Sequence, residues 1–148
     1  MLPASDPQPL AVFVYGTLKQ GERNFAVSQQ AGWVRSEPGW LEGFRLFHIP
    51  QRERLPYSYP AIVQGEGRVW GEVQRFKDLE FALSVLDPLE DQGREYLRIP
   101  ATAQTESGAL LVWVYVYPSL EAIRRAQGIL ISSGVWSDPP GEEPLGFL

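Results

Sequence analysis

Residues Ala11-Val12-Phe13-Val14-Tyr15-Gly16-Thr17-Leu18-Lys19-Gln20-Gly21-Glu22-Arg23-Asn24 decide how this chain is read. An apolar run with strand character drives straight into a tight turn that begins Tyr-Gly-Thr-Leu. Such a turn gathers backbone N–H groups around a glycine, and the concavity they form can hold an anionic or carbonyl oxygen. A tyrosine hydroxyl stands at its lip. Few other stretches of the chain offer a place for chemistry.

Composition narrows that chemistry. The chain has 148 residues, which suits one domain with a real core. Hydrophobic residues make up 44% and charged residues 21%, as in an ordinary globular protein. There is no cysteine, which excludes disulfides, thiolate nucleophiles and cysteine zinc sites. The single histidine, His48, rules out Ser-His-Asp and multi-histidine metal sites built from this chain alone. No metal and no cofactor is therefore expected. The net charge of -5 argues against non-specific nucleic-acid binding. Residues 1–9 lack the basic and apolar regions of a signal peptide, and no apolar run is long enough to cross a bilayer. The expectation is a cytoplasmic protein with no nucleic-acid or membrane partner.

Organisation follows from the pattern of residues. Residues 1–9 read as a flexible N-terminus, 10–136 as the domain, and 137–148 as a proline-, glycine- and acid-rich tail. Strand signals dominate the domain, at 10–15 and at 39–47. Residues 61–63 and 69–76 read as a hairpin around Gly65-Glu66-Gly67, and 96–104 with 109–117 as a second hairpin around Thr105–Gly108. Every residue of 110–117 is apolar or aromatic, so both faces of that strand are expected to be covered.

Helices are few. Asp78 caps one in which Leu79, Ala82, Leu83 and Leu86 share a face, with Pro88 stopping it after Asp87. Ser119 caps residues 120–127, ended by Gly128, and Asn24 caps 25–31. This is not the alternation of a doubly wound sheet. The expected fold is α+β: a small mixed, mostly antiparallel β-barrel with a few short peripheral helices.

Several motifs have two readings. Gly65-Glu66-Gly67-Arg68-Val69-Trp70-Gly71 has the spacing GxGxxxG and precedes a strand where a dinucleotide fold needs a helix, so it is hairpin punctuation. His48 is expected to make a local hydrogen bond, and residues 51–55 to form a charged surface loop. The five tryptophans read as core or rim packing. The acidic segment from Leu86 to Arg98 is either a solvated loop or a functional one. Glu90 follows Pro88-Leu89 at a helix end, and Tyr96 and Arg98 share one face of an extended strand.

Taken in order, these residues resemble the gamma-glutamylcyclotransferase-like (AIG2-like) family. The resemblance is carried by Val14-Tyr15-Gly16-Thr17-Leu18 with Gly21 and Asn24, then by Tyr59-Pro60-Ala61-Ile62 with Gly65. Val69-Trp70-Gly71-Glu72-Val73 follows, then Leu86-Asp87 with Glu90, Tyr96 and Arg98. Trp113–Tyr117, Ser133-Gly134 and Trp136 close the set. The resemblance implies a small mixed barrel with flanking helices. It also implies a cavity lined by Tyr15, Gly16, Thr17 and Leu18 that binds the gamma-glutamyl part of a small-molecule substrate, with Glu90 as general acid/base. Asp91 stands where members of that family carry glycine. A carboxylate there either raises the pKa of Glu90, if the two lie close, or faces solvent.

The implied reaction suits so sparse a chain. The substrate's α-amine attacks its own γ-carbonyl, closes 5-oxoproline and expels the other amine. No metal, cysteine or activated water is needed. Glu90 would take the proton, the N–H groups of residues 16–18 would hold the oxyanion and α-carboxylate, and Tyr15, Tyr96 and Tyr115 would orient the substrate through their hydroxyls. Arg98 reads more readily as a structural partner of Asp87 or Asp91. Two other readings stay open: a non-catalytic binding module for an amino-acid-like ligand, and a protein-interaction domain. The leaving amine and the oligomeric state are not legible.

Overall fold

A computed structural model of the chain describes residues 8–51, 58–90 and 96–136. The readings of the two ends, of residues 52–55 and of Asp91 lie outside the described residues. Among the described residues nine elements follow one another: β1 (Ala11–Val14), α1 (Phe25–Gln30), β2 (Trp33–Ile49), β3 (Tyr59–Phe76), α2 (Leu79–Glu90), β4 (Leu97–Thr105), β5 (Gly108–Val116), α3 (Leu120–Arg125) and β6 (Ile129–Leu130).

The strands run in the order β3-β1-β5-β4-β2-β6, and β2 also pairs with β3, so five strands close into a mixed barrel. Among the described residues β1 and β5 run parallel and every other pairing is antiparallel. This is the small barrel with short helices that the sequence implied. Its interior is filled by Phe13, Leu41, Phe44, Leu46, Ile62, Val69, Val112 and Val114, with Trp136 fully enclosed among them.

The strand β5 is packed on both faces, as its unbroken apolar run requires. Val112, Val114 and Val116 point into the barrel, while Trp113 and Tyr115 belong to a second cluster outside it. That outer cluster contains Val12, Val14, Leu18 and Leu86, so α2 and the turn after β1 cover the barrel wall together. The N-cap and buried face of α2 are those read from sequence: Phe81 N–H donates to Asp78 Oδ1 at 3.2 Å, and Ala82 and Leu86 are fully buried.

Three expectations need correction. First, 61–63 and 69–76 are not the arms of a hairpin but parts of one 18-residue strand, β3, paired along its length with the 17-residue β2. Residues 65–67 lie opposite Gly43 in a bulge, because Glu42 pairs with Arg68 and Phe44 with Gln64. The bulge reverses the alternation. Beyond it Phe44, Leu46 and Ile62 fill the barrel, whereas Phe47, Ile49, Tyr59, Ala61 and Val63 turn outward to meet Ala122 and Ile123 of α3. A change of phase at a glycine pair looks like a turn when only one strand is read.

Second, α2 runs through Pro88 to Glu90. Proline there forfeits one main-chain bond, to the carbonyl four residues back, and only two residues of the helix follow it. Third, α3 ends at Arg125, and Gln127 rather than Gly128 takes the left-handed conformation, with φ 62°. Gly128 is required by space: a Cβ there would lie 2.5 Å from Ile123 Cγ2. After β6 the chain straps across the barrel end, with Trp70 N–H donating to the Gly134 carbonyl at 2.8 Å. Trp136 Nε1–H donates to His48 Nδ1 at 3.2 Å, a contact between residues 88 positions apart.

Candidate active site

The turn after β1 is held from several directions. Within it, Lys19 N–H donates to the Gly16 carbonyl at 3.1 Å, and Asn24 N–H to the Thr17 carbonyl at 2.9 Å. The Asn24 side chain does not cap α1 as expected; its Nδ2 donates to Thr17 Oγ1 at 3.1 Å instead. Because a trans peptide sets its N–H opposite its C=O, tying back the Gly16 and Thr17 carbonyls turns the N–H groups of Thr17 and Leu18 the other way. Among the described residues, none accepts a hydrogen bond from the N–H of Gly16, Thr17 or Leu18. All three residues are buried, and a buried N–H without an acceptor is rare.

These residues line an open pocket with Phe13, Val14, Tyr15, Tyr59, Pro60, Tyr96 and Tyr115. The structure therefore brings together six residues singled out in the sequence: Tyr15, Gly16, Thr17, Leu18, Tyr96 and Tyr115. Tyr59 and Pro60 were not singled out as site residues. Pro60 explains the glycine, since a Cβ at residue 16 would overlap its ring, with Cδ at 2.8 Å. The sequence quotes both residues, but only the β2–β3 register carries them to the turn.

The tyrosine hydroxyls are engaged with protein. Tyr15 OH donates to the Tyr115 carbonyl at 2.6 Å, Tyr115 OH to Asp87 Oδ1 at 2.6 Å, and Tyr96 OH to the Pro60 carbonyl. Toward the pocket the tyrosines present their rings. Tyr96 is also stacked edge-on against Tyr117, with ring centroids 5.1 Å apart.

Asp87 is the hub between helix and barrel. Besides Tyr115 it accepts from Arg98 Nε at 2.9 Å and Nη2 at 3.2 Å, a two-pronged pair. Arg98 lies 4.4 Å above the Trp113 ring. Its structural role, with Asp87 as partner, is the one the sequence favoured. The pair fixes the end of α2 against β4 and β5. Glu90, the last residue of α2, follows Asp87 by three positions; its side chain lies outside what the structure describes.

Lys19 leaves the turn in the other direction. Its Nζ donates to the Trp136 carbonyl at 2.7 Å, linking the turn to the C-terminal strap. Burial pushes the ammonium below its ordinary value, and Glu22 and Glu72 oppose that effect. Among the described residues no group of three or more His, Cys, Asp or Glu gathers as a metal site. Among them, too, no helix is long and apolar enough to cross a membrane.

Comparison with known proteins adds relatives to this geometry. A family model described as "Gamma-glutamyl cyclotransferase, AIG2-like" matches residues 12–138. A provisionally named gamma-glutamylcyclotransferase of Vibrio cholerae is 34% identical over 84% of this chain and 93% of its own length. The gamma-glutamylcyclotransferase family protein YtfP of Escherichia coli K12 is 33% identical over 87% and 97%. An AIG2-like protein from mouse shares the fold with a TM-score of 0.64 at 21% identity, covering 93% of this chain and 97% of its own.

Proposed function

The chain belongs to the gamma-glutamyl cyclotransferase, AIG2-like family, and from that premise we propose that it converts a gamma-glutamyl amine into 5-oxoproline and a free amine. The substrate's α-amine attacks its own γ-carbonyl carbon, forming the ring C–N bond and a tetrahedral oxyanion. Collapse of that intermediate breaks the bond to the second amine. Nucleophile and electrophile share one molecule, so holding the folded conformer supplies much of the roughly 7–11 kcal/mol available to well-oriented intramolecular reactions.

One observation carries the reading: Thr17 and Leu18 have their N–H groups turned from the carbonyls that bind the chain, on the wall of an open cavity. Such donors suit the α-carboxylate and the oxyanion, whose charge develops only in the reaction. Tyr15, Tyr96 and Tyr115, which line the same cavity, orient the substrate. Glu90 takes a proton from that ammonium and delivers it to the leaving amine. Its place on α2, three residues after the anchored Asp87, supports the role, since positions three apart are neighbours on a helix.

The test is release of 5-oxoproline from a panel of gamma-glutamyl amines by the native protein and by Glu90→Gln. The expected result is turnover by the native protein and a loss of about 10²–10⁴-fold in the variant. Stabilisation by ligand with no product across the panel would favour a binding module on the same cavity. Equal rates in both proteins would remove Glu90 from the mechanism.

A further inference from the structure

Outside the barrel wall, beneath the turn, sits a polar side chain with no exposure at all. Gln74 points outward from β3 beside Val12 of β1, and both it and Ser28 of α1 are fully buried. Gln74 Nε2 donates to the Leu18 carbonyl at 2.9 Å, and Ser28 Oγ donates to Gln74 Oε1 at 2.8 Å. A carbonyl can only accept, so the amide nitrogen must face Leu18 and the orientation is fixed. Nε2 also meets Glu72 Oε1 at 3.3 Å, and that same oxygen accepts from Gln20 N–H at 3.1 Å.

We infer that Gln74 is a positioning residue for the ligand-binding turn, holding the Leu18–Lys19 peptide so that the donors ahead of it keep their aim. This rests on the reading of the turn given above. The Leu18 carbonyl is pinned by Gln74, and the N–H of the same peptide donates to Gly16. Both sides of one rigid plane are thereby fixed. The Gly16 carbonyl that receives this N–H belongs to the peptide whose own N–H is that of Thr17. Release of Leu18 therefore loosens the bond that aims Thr17, whereas Ser28 only steadies the far end of the Gln74 amide.

That asymmetry supplies the test. Gln74→Met keeps length and removes the donor; Ser28→Ala keeps the Leu18 bond and removes only its support. At temperatures where both are folded, Gln74→Met should lose about 10–100-fold in kcat/KM. The factor should be the same for every leaving amine, because the turn contacts the shared gamma-glutamyl half. Ser28→Ala should stay within about 3-fold of the native protein, inside the spread expected of a residue with no ligand contact. Hydrogen exchange of the Lys19 amide gives a readout independent of turnover: it should quicken about 10-fold or more in Gln74→Met and hold in Ser28→Ala.

Unchanged kcat/KM with unchanged Lys19 exchange in folded Gln74→Met overturns the inference, as does an equal loss in Ser28→Ala. Should Gln74→Met fail to fold, Gln74→Leu, also apolar and without a donor for the Leu18 carbonyl, takes its place, and the same measurements decide. A native protein that makes no 5-oxoproline refutes the proposed function instead, and exchange at Lys19 still judges Gln74.

Discussion

At residues 15–18 and again at 65–67 the chain carries glycine where another strand comes too close for a side chain, yet the two stretches are held by different means. In the first, Gly16 lies against the Pro60 ring, and the backbone is fixed by Asn24, Gln74 and the turn's own bonds. Those partners take carbonyls and leave N–H groups over. In the second, Gly67 lies against the Phe44 carbonyl within the ladder of β2 and β3, and paired residues flank it on both sides. Glycine marks close approach in both. Only at the turn do the bonds among the described residues take carbonyls and leave the N–H groups of residues 16–18 without an acceptor, and it is there that the proposed function puts its ligand.

The largest expected effect that separates them is at the turn. Gly16→Ala forces a Cβ into Pro60 and should cost about 1–3 kcal/mol of stability. It should also cut 5-oxoproline release about 10²–10³-fold, as loss of one oxyanion donor does. Activity assays on the folded variant check this, and turnover that survives would break the contrast.

At the bulge the expectation is stability without activity. Gly67→Ala places a Cβ 2.7 Å from the Phe44 carbonyl oxygen, which is backbone and cannot swing aside. It should lower stability by about 1–3 kcal/mol and leave kcat/KM unaltered. Gly65→Ala meets only the Arg45 side chain, Cδ at 2.5 Å, which can change rotamer. Its cost should be roughly 0.5–1.5 kcal/mol. Thermal melts of the two variants check the order, and a reversed order would show that the bulge is not braced as described.

The smallest effect is at Lys19, where burial lowers the ammonium below its ordinary 10.5. Its folded pKa lies below its unfolded one, so within that window the unfolded chain binds more protons and stability rises with pH. Below the window both states are charged and the cost of burial is fully present. Melting temperatures followed upward toward pH 10.5 should show a small gain in the native protein that is absent from Lys19→Met.

How much of this was legible depends on whether the relevant contact was local. The strand at Ala11–Val14, the turn behind it, the caps at Asp78 and Ser119 and the doubly buried β5 are written in adjacent residues or in short-range periodicity. The barrel followed from them and from the family resemblance. The unity of β3 did not, because the bulge reverses which residues face inward and makes one strand look like two. Tyr59 and Pro60 reach the cavity through a register set over seventeen and eighteen residues. Gln74 stands between Val73 and Arg75 with no mark to set it apart, and its partners lie 56 and 46 positions away. Asn24 was read as a helix cap because its type fits, and the nearby Thr17 hydroxyl took its side chain instead.

The most direct test of the central claim is titration of the ¹⁵N-labelled protein with 5-oxoproline, following backbone amide shifts. The account predicts saturable shifts at the amides of Gly16, Thr17 and Leu18 and none at Gly65 or Gly67. Shifts confined to the bulge, or a turn whose amides stay still while ligand binds elsewhere, would contradict it.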